Sequence, residues 1–331
     1  MPQPIQRRFI VRLVNTIASA LFCALVLQPA HSQDSTASGT ASPVAATLEL
    51  KRESDHGPRT IHGHLTLPGN GQRVPLLIIA SLHLGSMPAA DNKPVMDTAQ
   101  GQQPLSQLSQ ALAEKHQIGA LLIDLNQTIA NTSHFAEFAG DLAAAYDHFA
   151  GHHRVQAMLL GGHGDGALAA LMAMDQRPAA GYIGLTLAGM SGAQLEREHF
   201  QQLNDDSLRQ QALTLNEQLT NGQPPQALPE ALHAVYGEVP LELLRSWYAL
   251  RPTTLFSRVR QPLLVIHGDA DRRLDDRHGR LLRYANTGAN IERLPGMDHH
   301  LASSGVEPPQ LHPDVSALLA AFIHASVNQA L

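Results

Sequence analysis

The chain has 331 residues, 44% of them hydrophobic and 16% charged, with a formal net charge of -6. That supplies one large core, or a core carrying an inserted subdomain, and a mildly acidic chain is a poor match for nucleic acid. The only cysteine, Cys23, lies in an N-terminal apolar stretch, so the rest of the chain has no disulfide or thiol chemistry.

Met1 to Ser32 has the pattern of a secretory signal peptide. Arg7, Arg8 and Arg12 form a basic start, 14–27 is mainly apolar, and Ala30-His31-Ser32 places small residues at the two cleavage-determining positions. The apolar stretch is shorter than the roughly 20 residues that span a bilayer. Residues 1–32 therefore predict export to the periplasm or beyond, with no stable membrane anchor after cleavage. Residues 33–46, rich in Ser, Thr, Ala and Gln, read as a flexible linker.

Stretches 48–52 and 60–67 alternate apolar and polar residues and predict two antiparallel strands joined through Asp55-His56-Gly57-Pro58. The continuous apolar run 75–80 suits a strand buried on both faces. A helix is expected over 105–115, a strand over 118–123 ending at Asp124, an amphipathic helix over 135–149 and a strand over 157–160 feeding a helix from Leu168. Strands over 182–188, 263–266 and 291–294 complete the set. Alternation of this kind gives the α/β class: a mostly parallel sheet covered by helices on both faces.

The pattern changes after Gly189. Candidate helices over 194–203, 207–219 and 241–250 occupy a section far longer than an ordinary strand connection. This predicts a helical cap insertion over 189–255, above the carboxyl ends of the strands, where open α/β sheets bind ligands. The core would then comprise 47–188 and 256–331.

Two clusters carry the chemistry. The first is Met158-Leu159-Leu160-Gly161-Gly162-His163-Gly164-Asp165-Gly166-Ala167, an apolar run that stops in glycines and restarts as a helix. Gly162, Gly164 and Gly166 fit the G-x-S-x-G nucleophile elbow with Gly164 at its centre. Centring the turn on Asp165 would place the bulky His163 at a flanking position. An ordinary glycine-rich turn or a phosphate-cradling loop is the plainer interpretation. The second cluster is an apolar strand ending in His267-Gly268-Asp269-Ala270-Asp271, followed by Gly296-Met297-Asp298-His299-His300. A buried carboxylate beside an imidazole fixes its tautomer and stabilises its charged form.

From about Leu48 to its end, the chain resembles an α/β-hydrolase of the esterase and acyl-hydrolase type. The resemblance rests on the order elbow, acid, histidine, on the two phrases just quoted, and on Leu244-Arg245-Ser246-Trp247 with Arg251-Pro252, similar to a segment of capped esterases. It implies Asp271 as the triad acid and His299 as the base, with Asp269 and His300 as their nearest alternatives. It also implies oxyanion donors at Asp165 and in the turn at Ser81 and Leu82, and a ligand-contact position at His163.

Three departures fall on that chemistry. Gly164 stands where the serine belongs, so no hydroxyl is there to be deprotonated. The turn Ser81-Leu82-His83-Leu84-Gly85-Ser86 replaces the usual His-Gly, and Asp124-Leu125-Asn126-Gln127-Thr128 replaces a glycine-rich phrase with arginine. The expectation is an exported protein with a degenerate hydrolase site, binding a small ester, acyl or peptide-like ligand, or a partner, with little or no turnover. The alternative is an ester hydrolase using activated water or another nucleophile such as Asp165, Ser81 or Ser86. No cofactor is expected. Nor is a metal, since His62-Gly63-His64 and His299-His300 have no third ligand at helical spacing.

Overall fold

The computed structural model describes residues 41–85, 87–88, 94–95, 102–223, 228–237 and 239–330. The expected leader, most of the linker and Ser86 lie outside these residues.

A hairpin opens the described chain. β1 (Val44–Ser54) and β2 (Gly57–Leu67) pair antiparallel along their whole length, from Val44 opposite Leu67 to Ser54 opposite Gly57. Pairing therefore begins inside the segment expected to be linker, because Val44, Ala45 and Ala46 join the ladder despite their polar surroundings. β3 (Val74–Leu82) is buried at all nine positions, as a strand flanked by parallel neighbours and covered on both faces must be. Two short strands, β4 (Met87–Pro88) and β5 (Pro94–Val95), pair with each other. α1 (Gln102–His116) leads to β6 (Gly119–Asp124), a 3-10 turn over Leu125–Asn131, and α2 (Ala136–Phe149).

β7 (Val155–Gly164) runs without interruption into α3 (Asp165–Met174), and β8 (Tyr182–Leu185) follows. Among the described residues, five α-helices separate β8 from β9: α4 (Gly192–Gln201), α5 (Asp206–Thr220), α6 (His233–Tyr236), α7 (Leu241–Tyr248) and α8 (Pro252–Phe256). Ser191 starts this section with a capping box to Gln194, which satisfies amide groups the first turn leaves unpaired. β9 (Leu263–Gly268), α9 (Asp276–Ala285), β10 (Asn290–Leu294) and α10 (Pro313–Ala330) complete the chain.

The eight-stranded sheet has the order β1-β2-β6-β3-β7-β8-β9-β10, parallel from β6 onward. Alternate residues of a strand face opposite sides, and β3 shows the result. Leu76, Ile78 and Ala80 join the core that includes residues of α2, α3 and the cap, whereas Leu77 and Ile79 join the one that includes residues of α1 and α10. The hairpin is fixed to α2 by a buried ion cluster. Arg59 bonds Asp141 at 2.6 Å and Glu137 at 3.0 Å, and Arg52 bonds Asp141 at 2.7 Å. Among the described residues no helix is long and apolar enough to cross a membrane.

Candidate active site

The turn from β7 into α3 is as tight as a chain can make it. Gly164 has φ 60° and ψ -127°, a backbone region that only glycine enters without strain. The residues two positions to either side, Gly162 and Gly166, are glycine because the backbones press together. A Cβ on Gly162 would sit 2.2 Å from the backbone of Gly166, and one on Gly166 would sit 2.3 Å from the Ala80 carbonyl. This is elbow geometry with glycine at the apex. A Cβ at Gly164 would meet His83 Nε2 at 2.7 Å, so an imidazole lies against the place where a nucleophile's side chain would start.

Asp271 follows β9 and His299 follows β10, and the fold brings them together. His299 Nδ1 lies 2.8 Å from Asp271 Oδ2, while the backbone N–H groups of Arg273 and Leu274 donate to Asp271 Oδ1 at 2.7 and 2.9 Å. Burial pushes this carboxyl up, but the neighbouring His299 and the hydrogen bonds outweigh it and hold it at about 2. An ionised carboxylate only accepts, so His299 Nδ1 carries a proton. Among the described residues His299 Nε2, which is buried, has no hydrogen-bond partner. Asp269 points elsewhere, accepting from the Gly296 N–H at 2.5 Å. His300 stacks edge-on against His299, with ring centres 5.7 Å apart.

Ser81 and Leu82 lie inside the β3 ladder, opposite His163 and Gly164, and both are buried. The first backbone donors beyond the ladder belong instead to His83 and Leu84. The His83 N–H donates to Asn126 Oδ1 at 3.0 Å, and the Leu84 N–H donates to Asp165 Oδ2 at 2.9 Å. The other carboxylate oxygen of Asp165 accepts from Trp247 Nε1 of the cap at 3.0 Å. Burial raises the pKa of Asp165, against the pull of nearby Arg273 and these two donors. Beside the apex, then, the buried carboxyl group of Asp165 engages both the Leu84 N–H and the Trp247 indole N–H.

His163 lies in β7 and is fully buried. Its Nε2 is 2.7 Å from the His299 carbonyl oxygen; a carbonyl only accepts, so Nε2 bears the proton and Nδ1 the lone pair. Among the described residues, His163 Nδ1 and His83 Nε2, like His299 Nε2, are buried without hydrogen-bond partners. One ring nitrogen from each of His83, His163 and His299 lies within 4.8 Å of the other two. Burial, reinforced by its histidine neighbours, lowers His83 well below the ordinary imidazole range and His163 to about 3, so both are neutral near pH 7.

The sequence-based reading missed His83, Arg273 as a neighbour of Asp165, and the reach of Trp247 down to the elbow. His83 is far along the chain from His163 and His299. The available signal was positional: all three residues stand at or just beyond the carboxyl end of a strand, where α/β sheets gather their sites. Against the turn, a cavity of about 10 Å³ is lined by Gly164, Asp165, Leu168, Met190 and Trp247 among others, room for about one water molecule.

No family model matches the chain, and no curated protein matches it. Solved structures do. Est1E from Butyrivibrio proteoclasticus superposes with a TM-score of 0.55 at 15% identity, over 85% of this chain and 99% of that one. The esterase domain of a Rhodothermus marinus protein gives 0.53 at 16% identity, over 86% and 98%. DcsB, solved with a substrate analogue, gives 0.54 at 14% identity, over 85% and 99%. With the sheet order, the elbow turn and the sequence of elements already described, these likenesses show that the chain has the α/β-hydrolase fold.

Proposed function

We propose that the chain is an exported member of the α/β-hydrolase superfamily that has lost serine-nucleophile chemistry. It binds a small ester, acyl or peptide-like ligand, or a protein partner, with little or no turnover. The observation that carries this reading is at the apex: glycine stands at the nucleophile position, and His83 Nε2 lies 2.7 Å from where its Cβ would be. The Asp165 carboxylate, already bonded to the Leu84 N–H, adds to it, because catalysis of acyl transfer relies on such donors being free for the developing oxyanion.

A second reading has its own support. The Asp271–His299 pair has the spacing and proton placement of a working acid and base, which favours slow ester hydrolysis by activated water. Hydrolysis of short and long acyl nitrophenyl esters by the mature chain, with His299→Ala as control, separates the two. Rates equal to the control support the binding protein; a rate abolished in the control supports the hydrolase and overturns the first reading.

A further inference from the structure

We propose that His83, His163 and His299 form a three-histidine site for a divalent transition-metal ion, zinc by the chemistry of its donors, beside the glycine that replaces the nucleophile. The inference goes beyond the proposed function and does not depend on it.

The argument starts from the three orphaned nitrogens. His83 Nε2, His163 Nδ1 and His299 Nε2 are buried and bond to nothing among the described residues, although a buried polar atom without a partner costs about 1–3 kcal/mol. For two of them the tautomer follows from the opposite ring nitrogen. His163 Nε2 donates to the His299 carbonyl at 2.7 Å and His299 Nδ1 donates to Asp271 at 2.8 Å, which leaves His163 Nδ1 and His299 Nε2 as the ring nitrogens available to a ligand. One ring nitrogen of each of the three residues lies within 4.8 Å of the other two, close enough for one cation to be shared among them. Three imidazole ligands select a borderline metal such as zinc rather than calcium or magnesium, which prefer oxygen.

The surroundings are those a metal-bound histidine requires. A ligating imidazole usually donates its other N–H to a carboxylate or a backbone carbonyl, which orients the ring and raises its basicity. His299 has the carboxylate, Asp271, and His163 has the carbonyl of His299. In this reading Asp271 and His299 keep the contact expected of a triad acid and base but serve as supporting carboxylate and ligand. The absence of a side chain at Gly164 also acquires a reason. A side chain there would press on His83 Nε2, the nitrogen this site assigns to the metal. Three protein ligands leave the fourth tetrahedral position to water or a ligand oxygen, as in open zinc sites. Tetrahedral zinc would hold the nitrogens about 3.3 Å apart, so the rings close inward by up to about 1.5 Å between nitrogens on loading.

The test is titration of the metal-free full chain with Zn²⁺ and, separately, Co²⁺. The expected result is one tight equivalent, with the visible absorption of tetrahedral Co²⁺. His83→Ala and His163→Ala should lose that equivalent, and Asp271→Asn should weaken it about 10–100-fold. The double change His152→Ala with His153→Ala, at a histidine pair outside the cluster with ring centres 4.6 Å apart, should leave it intact. Should the cluster variants fail to fold, X-ray absorption on the zinc-loaded native chain decides without them: three imidazole nitrogens at about 2.0–2.1 Å are expected. No tight equivalent, an equivalent unchanged by His83→Ala, or fewer than three imidazoles would overturn the proposal. Failure here leaves the ester-hydrolysis test of the proposed function unaffected, because that test reads turnover and this one reads stoichiometry.

Discussion

Restoring the missing serine should fail, for a reason visible in the structure. In Gly164→Ser the new Cβ lies 2.7 Å from His83 Nε2 and 2.9 Å from the Leu82 carbonyl oxygen, on a backbone with φ 60°. A non-glycine residue in such a region costs of order 1–3 kcal/mol, and overpacking a filled site typically costs about 1–3 kcal/mol more. The single variant should therefore lose about 2–6 kcal/mol in urea unfolding and gain no esterase activity. Truncation of the obstructing ring relieves one part of this. In a double-mutant cycle with His83→Ala, the two changes together should cost about 1–3 kcal/mol less than their sum. The double variant should also hydrolyse short acyl nitrophenyl esters in a His299-dependent way. Additivity within about 0.5 kcal/mol, the expectation for independent sites, or a stable and active Gly164→Ser, would refute the claim that His83 blocks the nucleophile's place.

Other consequences follow from the packing around the site. Arg59→Met should destabilise the fold by about 3–5 kcal/mol, because it takes the guanidinium from the buried carboxylate of Glu137 and leaves that of Asp141 with Arg52 alone; a loss under about 1 kcal/mol in chemical denaturation would contradict that assignment. His278, 1% exposed and accepting from the Gly189 N–H through Nδ1, is lowered by burial from 6.5 to about 4. The unfolded chain binds its proton more tightly, so the penalty is absent well above pH 6.5, grows as pH falls through that value and is complete below about pH 4. Between pH 7.5 and pH 5 it amounts to about 2 kcal/mol, which His278→Asn should abolish; equal pH dependence in both proteins would sink the argument. Trp247 is the only tryptophan in the chain and is buried against the elbow with its N–H on Asp165. Its emission should be blue-shifted in the free protein and change on addition of any ligand that enters beside Gly164, and an unaltered spectrum in the presence of a bound ligand would place that ligand elsewhere.

The parts of the fold that were legible in the sequence are those where one physical pattern dominates. The uninterrupted apolar runs gave the central strands, because a strand covered on both faces has no polar positions, and all nine residues of β3 are buried. The three glycines gave the elbow, because each answers a backbone approach that no Cβ survives. α9 was missed: only His278 and Leu282 are buried in it, too few to make a recognisable stripe. α10 is not legible although Val315, Leu319 and Ile323 recur at helical spacing, because Ala317, Leu318, Ala321 and Phe322 extend apolar character beyond that stripe and blur it. The start of β1 was read as linker from composition alone, and pairing with β2 overrode it. The pairing of Asp271 with His299 could be anticipated because both sit in recognisable phrases at strand ends. The histidine cluster could not, because its members are joined only by the sheet order, and the expectation of no metal centre rested on spacing within single elements.

The central claim is that no side chain of this hydrolase fold acts as an acyl-accepting nucleophile. Intact-mass measurement of the purified chain after exposure to a reactive fluorophosphonate tests it directly, since an activated hydroxyl displaces fluoride from phosphorus and leaves a mass increment. The account predicts an unchanged mass in the native chain. A stoichiometric adduct that disappears in His299→Ala would contradict it, and would mean that a nucleophile other than residue 164 is served by the Asp271–His299 pair.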